Sequence, residues 1–196
     1  MNKSWNIHIQ PILDSWEWDH FSSVWDPFLA KYPKFSAEQR IQVENALVTC
    51  AFDINDEKLA IKALGIAEIL QTNHFATQRL LELMRGELRK QFEALRLESD
   101  ISYYYILAFS SFQLVESIPY LKSVIEQLEK SRAENILAEN DGTRHSYKEL
   151  MRACVISLSR LRADEGLTFL IHFRSAQEKQ DVEKLIKDFH GKVFNT

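Results

Sequence analysis

The sequence predicts an all-α protein, and three observations carry that prediction. Glycine and proline are scarce, 5 and 4 among 196 residues, which suits helices joined by short turns and not a sandwich or barrel. Apolar residues recur at spacings of three and four, as in Val43, Leu47, Cys50 and Ile54. Capping residues stand ahead of such stretches, as in Ser36-Ala37-Glu38-Gln39, which has the form of a capping box. Hydrophobic residues make up 45% and charged residues 27%, a balance that excludes wholesale disorder in a chain long enough to bury a substantial core.

The elements follow in order. Residues 1–35 hold all four tryptophans, Trp5, Trp16, Trp18 and Trp25. Trp18, Phe21, Trp25 and Phe28 share one helical face; Leu13, Trp16, His20 and Val24 share another; Asp26-Pro27 reads as a helix restart. From Ser36 a helix runs to a break at Asp53-Ile54-Asn55-Asp56, where three residues are natural caps. The next helix carries Leu59, Ala63, Ile66 and Leu70 on one stripe. A third, capped by Thr72 or Asn73, spans about His74 to Arg96 and buries Leu81, Met84, Leu88 and Leu95. A fourth opens at Ser99 or Asp100 and is apolar almost all round, which predicts neighbours on several sides. Within Ser110–Leu121, Glu116 or Ser117 is expected to cap the following helix, with Pro119 tolerated only in its first turn. That helix shows Ile118, Leu121, Ile125 and Leu128 on one face, with Lys122, Glu126, Glu129 and Lys130 outside.

This helix–turn–helix plan recurs. Leu150–Phe173 has an apolar helix, a short acidic turn and Leu167-Thr168-Phe169-Leu170 where the earlier unit has Ile118-Pro119-Tyr120-Leu121. A weaker copy lies around Leu47–Leu64, and Ser146 with Glu149 forms a second capping box. Two-helix units at a period of some forty-odd residues predict an α-solenoid of stacked antiparallel helical hairpins; an irregular helical bundle is the alternative. A short acidic turn between apolar helices, with proline early in one of them, resembles HEAT repeats over about Ser36–Phe173. Two departures stand against the pattern: the units are irregular in length, and the usual late Arg or Lys is not consistently placed. The expected organisation is one helical domain, 1–196: an aromatic cap at 1–35, hairpin repeats at 36–176 and a capping helix at 177–196. The aromatic segment also reads as a recognition surface; the cap is preferred because a stacked array must close its open end.

Charge and composition narrow the function. The formal charge is −4, and residues 1–60 hold five basic against nine acidic residues. Nucleic-acid binders draw much of their affinity from a basic excess, which is missing here, so nucleic acid is an unlikely partner. Cys50 and Cys154 fall inside apolar helical patterns and read as small buried hydrophobes, although a bond between them is not excluded by sequence. No signal-peptide pattern and no run of 18 apolar residues is present, so no membrane and a cytoplasmic location are the expectation.

No catalytic, cofactor or metal motif stands out. The six histidines are scattered singly, without the His-Glu pairs of iron-binding HEAT-like hydroxylases. The five glycines are isolated, and neither a nucleophile elbow nor a cysteine signature occurs. The carboxylate pairs Asp56-Glu57 and Asp164-Glu165 sit at helix starts, where they complement the dipole. What remains are binding candidates. Arg144, Lys148, Arg152, Arg160 and Arg162 include an i, i+4 pair, with Arg160 about 80° around the helix from Arg152. Tyr103, Tyr104 and Tyr105 spread around a helix so that they cannot all be buried alike. Glu38, Glu44, Asp53 and Asp56 form an acidic set suited to a basic partner. The expectation is a non-enzymatic protein-binding module without cofactors, in its concrete form a bacterial immunity protein that neutralises a toxin domain. The alternative is a nucleic-acid-binding protein resembling the HEAT-like DNA glycosylases, which use a basic concave face, aromatic contacts and a carboxylate. Arg152, Arg160 and the aromatic residues support that alternative.

Overall fold

A computed structural model describes residues 9–14, 26–53, 55–94, 100–133 and 147–161, with helical residues also at 176, 179, 180, 183 and 184. The described residues contain helices and no strand. The helices are α1 (Gln10–Asp14), α2 (26–31, continued by a 3-10 turn at Tyr32–Lys34), α3 (Ala37–Ala51) and α4 (Glu57–Thr72). They continue as α5 (Gln78–Ala94), α6 (Asp100–Ser111), α7 (Ile118–Ala133) and α8 (Tyr147–Leu161). The chain forms two compact units, Met1–Glu87 and Leu88–Thr196.

Helix starts follow the local chemistry. Ser36 Oγ accepts from the Gln39 amide at 3.2 Å while the Gln39 side chain accepts from the Ser36 amide at 2.9 Å, the expected capping box. Asp56, the last of the three acceptors in the break, caps α4 through the Leu59 amide at 3.0 Å. For α5 the expected start moves: Thr77, not Thr72 or Asn73, accepts from the Leu80 amide at 3.1 Å.

The reason lies in how α4 stops. His74 adopts the left-handed conformation (φ 58°), its amide donates to Gln71 O, and the Phe75 amide reaches back to Leu70 O. This is a Schellman stop, with Leu70 and Phe75 in the positions that normally share its apolar contact. α6 ends the same way: Gln113 is left-handed (φ 56°), its amide donates to Ser110 O, and the Leu114 amide donates to Phe109 O. Neither stop uses glycine, so neither was visible as a glycine signal.

In the first unit α3 and α4 pair as a hairpin. Val43, Leu47 and Cys50 from α3 and Ala63, Ile66 and Leu70 from α4 are fully buried, as their spacing predicts. Each buried Val, Leu or Ile contributes about 1.5–3 kcal/mol. Leu59 is only half-buried, and Ile54 lies outside the described residues. α1 rests on α4 through buried Ile12 and Leu13. Phe28, Tyr32 and Phe35 form a ring cluster with centroids 5.5–6.2 Å apart. Of the N-terminal aromatic segment, Trp5, Trp16, Trp18, His20, Phe21, Val24 and Trp25 lie outside the described residues.

In the second unit α8 packs along both α6 and α7, more closely than those two pack on each other. Small residues set the approach: Ala108 of α6 and Ala153 and Ser157 of α8 are fully buried. Ser157 Oγ donates to Ile106 O at 2.7 Å across the interface. The apolar face of α7 is the predicted one, with Ile118, Leu121, Ile125 and Leu128 all buried. Phe92 stacks on Tyr120 at 5.4 Å, and Phe109 stands edge-on to both. The expected cap at Glu116 or Ser117 is replaced by a 3-10 turn, Val115–Ser117, that feeds straight into α7. Ser117 Oγ donates back to Leu114 O, and Glu116 instead pairs with Arg89. The predicted hairpin after α8, the loop before it and the capping helix at 177–196 fall largely outside the described residues.

Candidate functional site

The second unit brings four sequence candidates together. Tyr103 and Tyr104, in the second turn of α6, are half-buried, and their rings meet edge-to-face at 5.3 Å. α8 supplies Glu149, Arg152 and Arg160 near Tyr103. Burial raises the Tyr103 hydroxyl above its usual range; Arg152 and Arg160 pull it down, while Tyr104 and Glu149 push it up. The hydroxyl therefore stays protonated at neutral pH and can both donate and accept. Arg152 and Arg160 are half-buried and lie about 12 Å apart along the helix. Tyr105 turns the other way and is buried, so the three tyrosines divide as the helical wheel requires. The side chain of Lys148, and Arg144 and Arg162 altogether, lie outside the described residues.

The acidic candidates belong to the first unit and do not form one face. Glu38 is exposed in the first turn of α3. Asp53 is half-buried and spends one oxygen on the backbone and side-chain amides of Asn55, at 3.2 and 3.1 Å. Asp56 is exposed but serves as the α4 cap. Glu44 needs correction: it is 1% exposed and points into the protein, out of reach of a partner. One of its oxygens accepts from Tyr32 Oη at 3.3 Å and Thr77 Oγ at 2.5 Å. The other pairs with Arg79 Nη1 at 2.9 Å, and Arg79 also donates to Asn45 Oδ1. Burial and the adjacent Glu44 charge raise the Tyr32 hydroxyl far above its usual range. The spacing that puts Glu44 one residue from Val43 also put it on the edge of the buried face, and its partners lie 12 to 35 residues away.

A second feature was missed in the sequence. Gln10, Leu13, Asp14, Asp56, Lys58, Leu59 and Lys62 line an open cleft of about 500 Å³ in the first unit. Lys62 Nζ donates to Leu13 O at 2.6 Å, tying α4 to α1. Burial lowers the Lys62 pKa, against the opposing pull of Asp14 and Asp56. In the sequence Lys62 is one polar residue inside an apolar helix, and a bond spanning 49 positions leaves no local trace.

Among the described residues no three His, Cys, Asp or Glu side chains are grouped to hold a metal ion. None of their helices is long and apolar enough to cross a membrane. Both cysteines are reduced and buried, and burial raises the Cys154 thiol far above its usual range. Compared with protein-family models, curated proteins and solved structures, the chain finds no match.

Proposed function

We propose that the chain is a non-enzymatic protein-binding module whose contact face is the tyrosine–arginine surface of α6 and α8. One observation carries this reading: Tyr103 and Tyr104 lie half-buried and mutually packed, with Arg152 and Arg160 close by on α8, which packs against α6. Tyr and Arg are the residue types that dominate interface energetics, because each combines a large rigid apolar surface with directional hydrogen bonding. A pre-packed pair loses little side-chain entropy on docking. Two arginines favour an acidic surface patch on the partner. In this reading successive hairpins stack as an α-solenoid, so that the face belongs to an extended wall. Its concrete form is a bacterial immunity protein that blocks a toxin domain by direct binding; the chain's size, its charge of −4 and the lack of a catalytic motif are in keeping with that role.

The test is affinity purification from the source cell with the wild-type chain and with Tyr103→Phe, Tyr104→Ala and Arg152→Ala, followed by calorimetry on the protein recovered. A hot spot worth about 2 kcal/mol weakens binding roughly thirtyfold on truncation. The reading fails if all three variants bind like wild type, or if the chain shifts a DNA or RNA duplex at moderate salt. The latter result favours the nucleic-acid alternative, since stacking aromatics and arginines also serve single strands and phosphates.

A further inference from the structure

We propose that α5 is a hinge that bends at Gly86, so that each half of the helix stays with its own compact unit. α5 is one helix, Gln78–Ala94, but the boundary between the two units falls inside it, after Glu87. Each half is fastened within its own unit. Before the boundary, Arg79 pairs with Glu44 at 2.9 Å and donates to Asn45, while Leu80 and Met84 are fully buried. After it, Arg89 pairs with Glu116, and Leu88 is fully buried. Phe92 meets Phe109 and Tyr120 there, with centroids 5.1 and 5.4 Å away. The two arginine fastenings stand about 15 Å apart along the helix, and Gly86 lies between them.

Packing does not account for a glycine at this place. A methyl group added to Gly86 meets nothing within 4 Å, so no neighbour needs the space. Gly86 is two residues from both Met84 and Leu88, which puts it on the side of α5 away from the buried stripe. A glycine inside a helix lowers the helical equilibrium roughly fivefold relative to alanine, because its backbone leaves the α conformation most readily. A change of φ and ψ at Gly86 loosens the bonds that span it, from the amides of residues 87–90 to the carbonyls of residues 83–86. On the outer side of the helix those groups turn to water, and both fastenings stay made. The bend therefore costs least at Gly86.

Gly65 supplies the comparison. It too is interior to a helix, α4, and a methyl group there also meets nothing within 4 Å, but α4 lies wholly within the first unit. If glycine alone loosens a helix, both places are equally loose. A hinge makes Gly86 the looser of the two.

The experiment uses the whole chain, spin-labelled at Gln78→Cys and Lys90→Cys. Both positions are exposed and stand about 18 Å apart in a straight helix, and the native Cys50 and Cys154 are buried. Dipolar electron spin resonance is expected to show a population shorter than the straight-helix separation. Gly86→Ala should remove that population, and Gly65→Ala should leave it. A single straight-helix distance in the chain with both glycines overturns the hinge, as does a short population that survives Gly86→Ala. Hydrogen exchange gives a second reading without labels. The amides of residues 87–90 are expected to exchange severalfold faster than those of residues 66–69, which span Gly65 in the same way, and roughly fivefold slower once Gly86 is alanine. Equal rates around the two glycines overturn the proposal.

Discussion

Replacing Glu44 by alanine tests whether this carboxylate is structural. The side chain is 1% exposed and accepts from Tyr32, Thr77 and Arg79. Its three partners lose unequally. Tyr32 is itself 1% exposed, so its hydroxyl is left buried without an acceptor, at about 1–3 kcal/mol. Thr77 Oγ keeps its role as acceptor for the Leu80 amide and loses one bond, about 1 kcal/mol. Arg79 is 41% exposed, so it turns to water and its share of the ion pair is small. The sum is roughly 3 kcal/mol. Urea unfolding followed by far-UV circular dichroism should show a lower midpoint with an unchanged slope. Glu44→Gln keeps the shape and one acceptor, and should lose about half as much. A loss below about 0.5 kcal/mol for the alanine variant would refute the argument, because it would mean that the carboxylate is solvated or that Tyr32 finds another acceptor.

Three further outcomes follow from the same structure. Gln113→Gly should stabilise the protein by about 0.5–1 kcal/mol, since the left-handed stop of α6 strains any side chain more than glycine's extra unfolded-state entropy costs. His74→Gly should do the same for α4, and both are read as a rise in melting temperature. Ser157→Leu should destabilise by about 1–3 kcal/mol in a chemical melt, because it forces a branched side chain into a fully buried position where α8 bonds to the α6 backbone. Stability should fall in alkali. Tyr32, Tyr103 and Tyr120 have folded pKa values above the ordinary value of 10.0. The unfolded chain therefore loses those protons first, and the contribution is intact below about pH 10 and declines above it. Tyrosinate absorbance near 295 nm, recorded beside circular dichroism, should show these tyrosines ionising together with unfolding.

What the sequence revealed was what repeats locally. The stripes Val43-Leu47-Cys50 and Ile118-Leu121-Ile125-Leu128 needed only the helical period, and the structure buries every one of these residues. Ser36 and Asp56 needed only the acceptor chemistry of a cap. The failures share a physical origin. The start of α5 depends on a left-handed His74, and the end of α6 on a left-handed Gln113; neither residue type advertises that conformation. Leu81 was expected in the buried stripe with Met84 and Leu88, but Leu80, four residues before Met84, is the buried one and Leu81 is half-buried; both spacings fit the helical period. Glu44 read as part of an acidic binding set, and Lys62 was not singled out, because their partners, Tyr32, Thr77, Arg79 and Leu13, come from other elements. Tyr103, Tyr104, Arg152 and Arg160 were each legible from the helical wheel, but their convergence depends on α6 and α8 packing together.

That convergence can be separated from stability by the choice of variant. Tyr103 is half-buried and meets Tyr104 edge-on, so alanine there removes packing as well as a contact surface, and lost binding would be ambiguous. Tyr103→Phe keeps the ring and deletes only the hydroxyl, which burial holds in the protonated form. Arg152→Ala removes a charge near the hydroxyl whose effect on Tyr103 is to lower its pKa. The Tyr103 pKa in that variant should therefore rise further, a shift that reports the proximity of the two groups without any partner present. Ionic strength then sorts the partner's chemistry. Affinity for a duplex falls in proportion to the number of phosphates neutralised, so two arginines imply a slope of about −2 in a log–log plot. A protein partner anchored by the two tyrosines keeps most of its affinity in salt and loses association rate instead, because screening weakens long-range steering more than the short-range contact of packed rings.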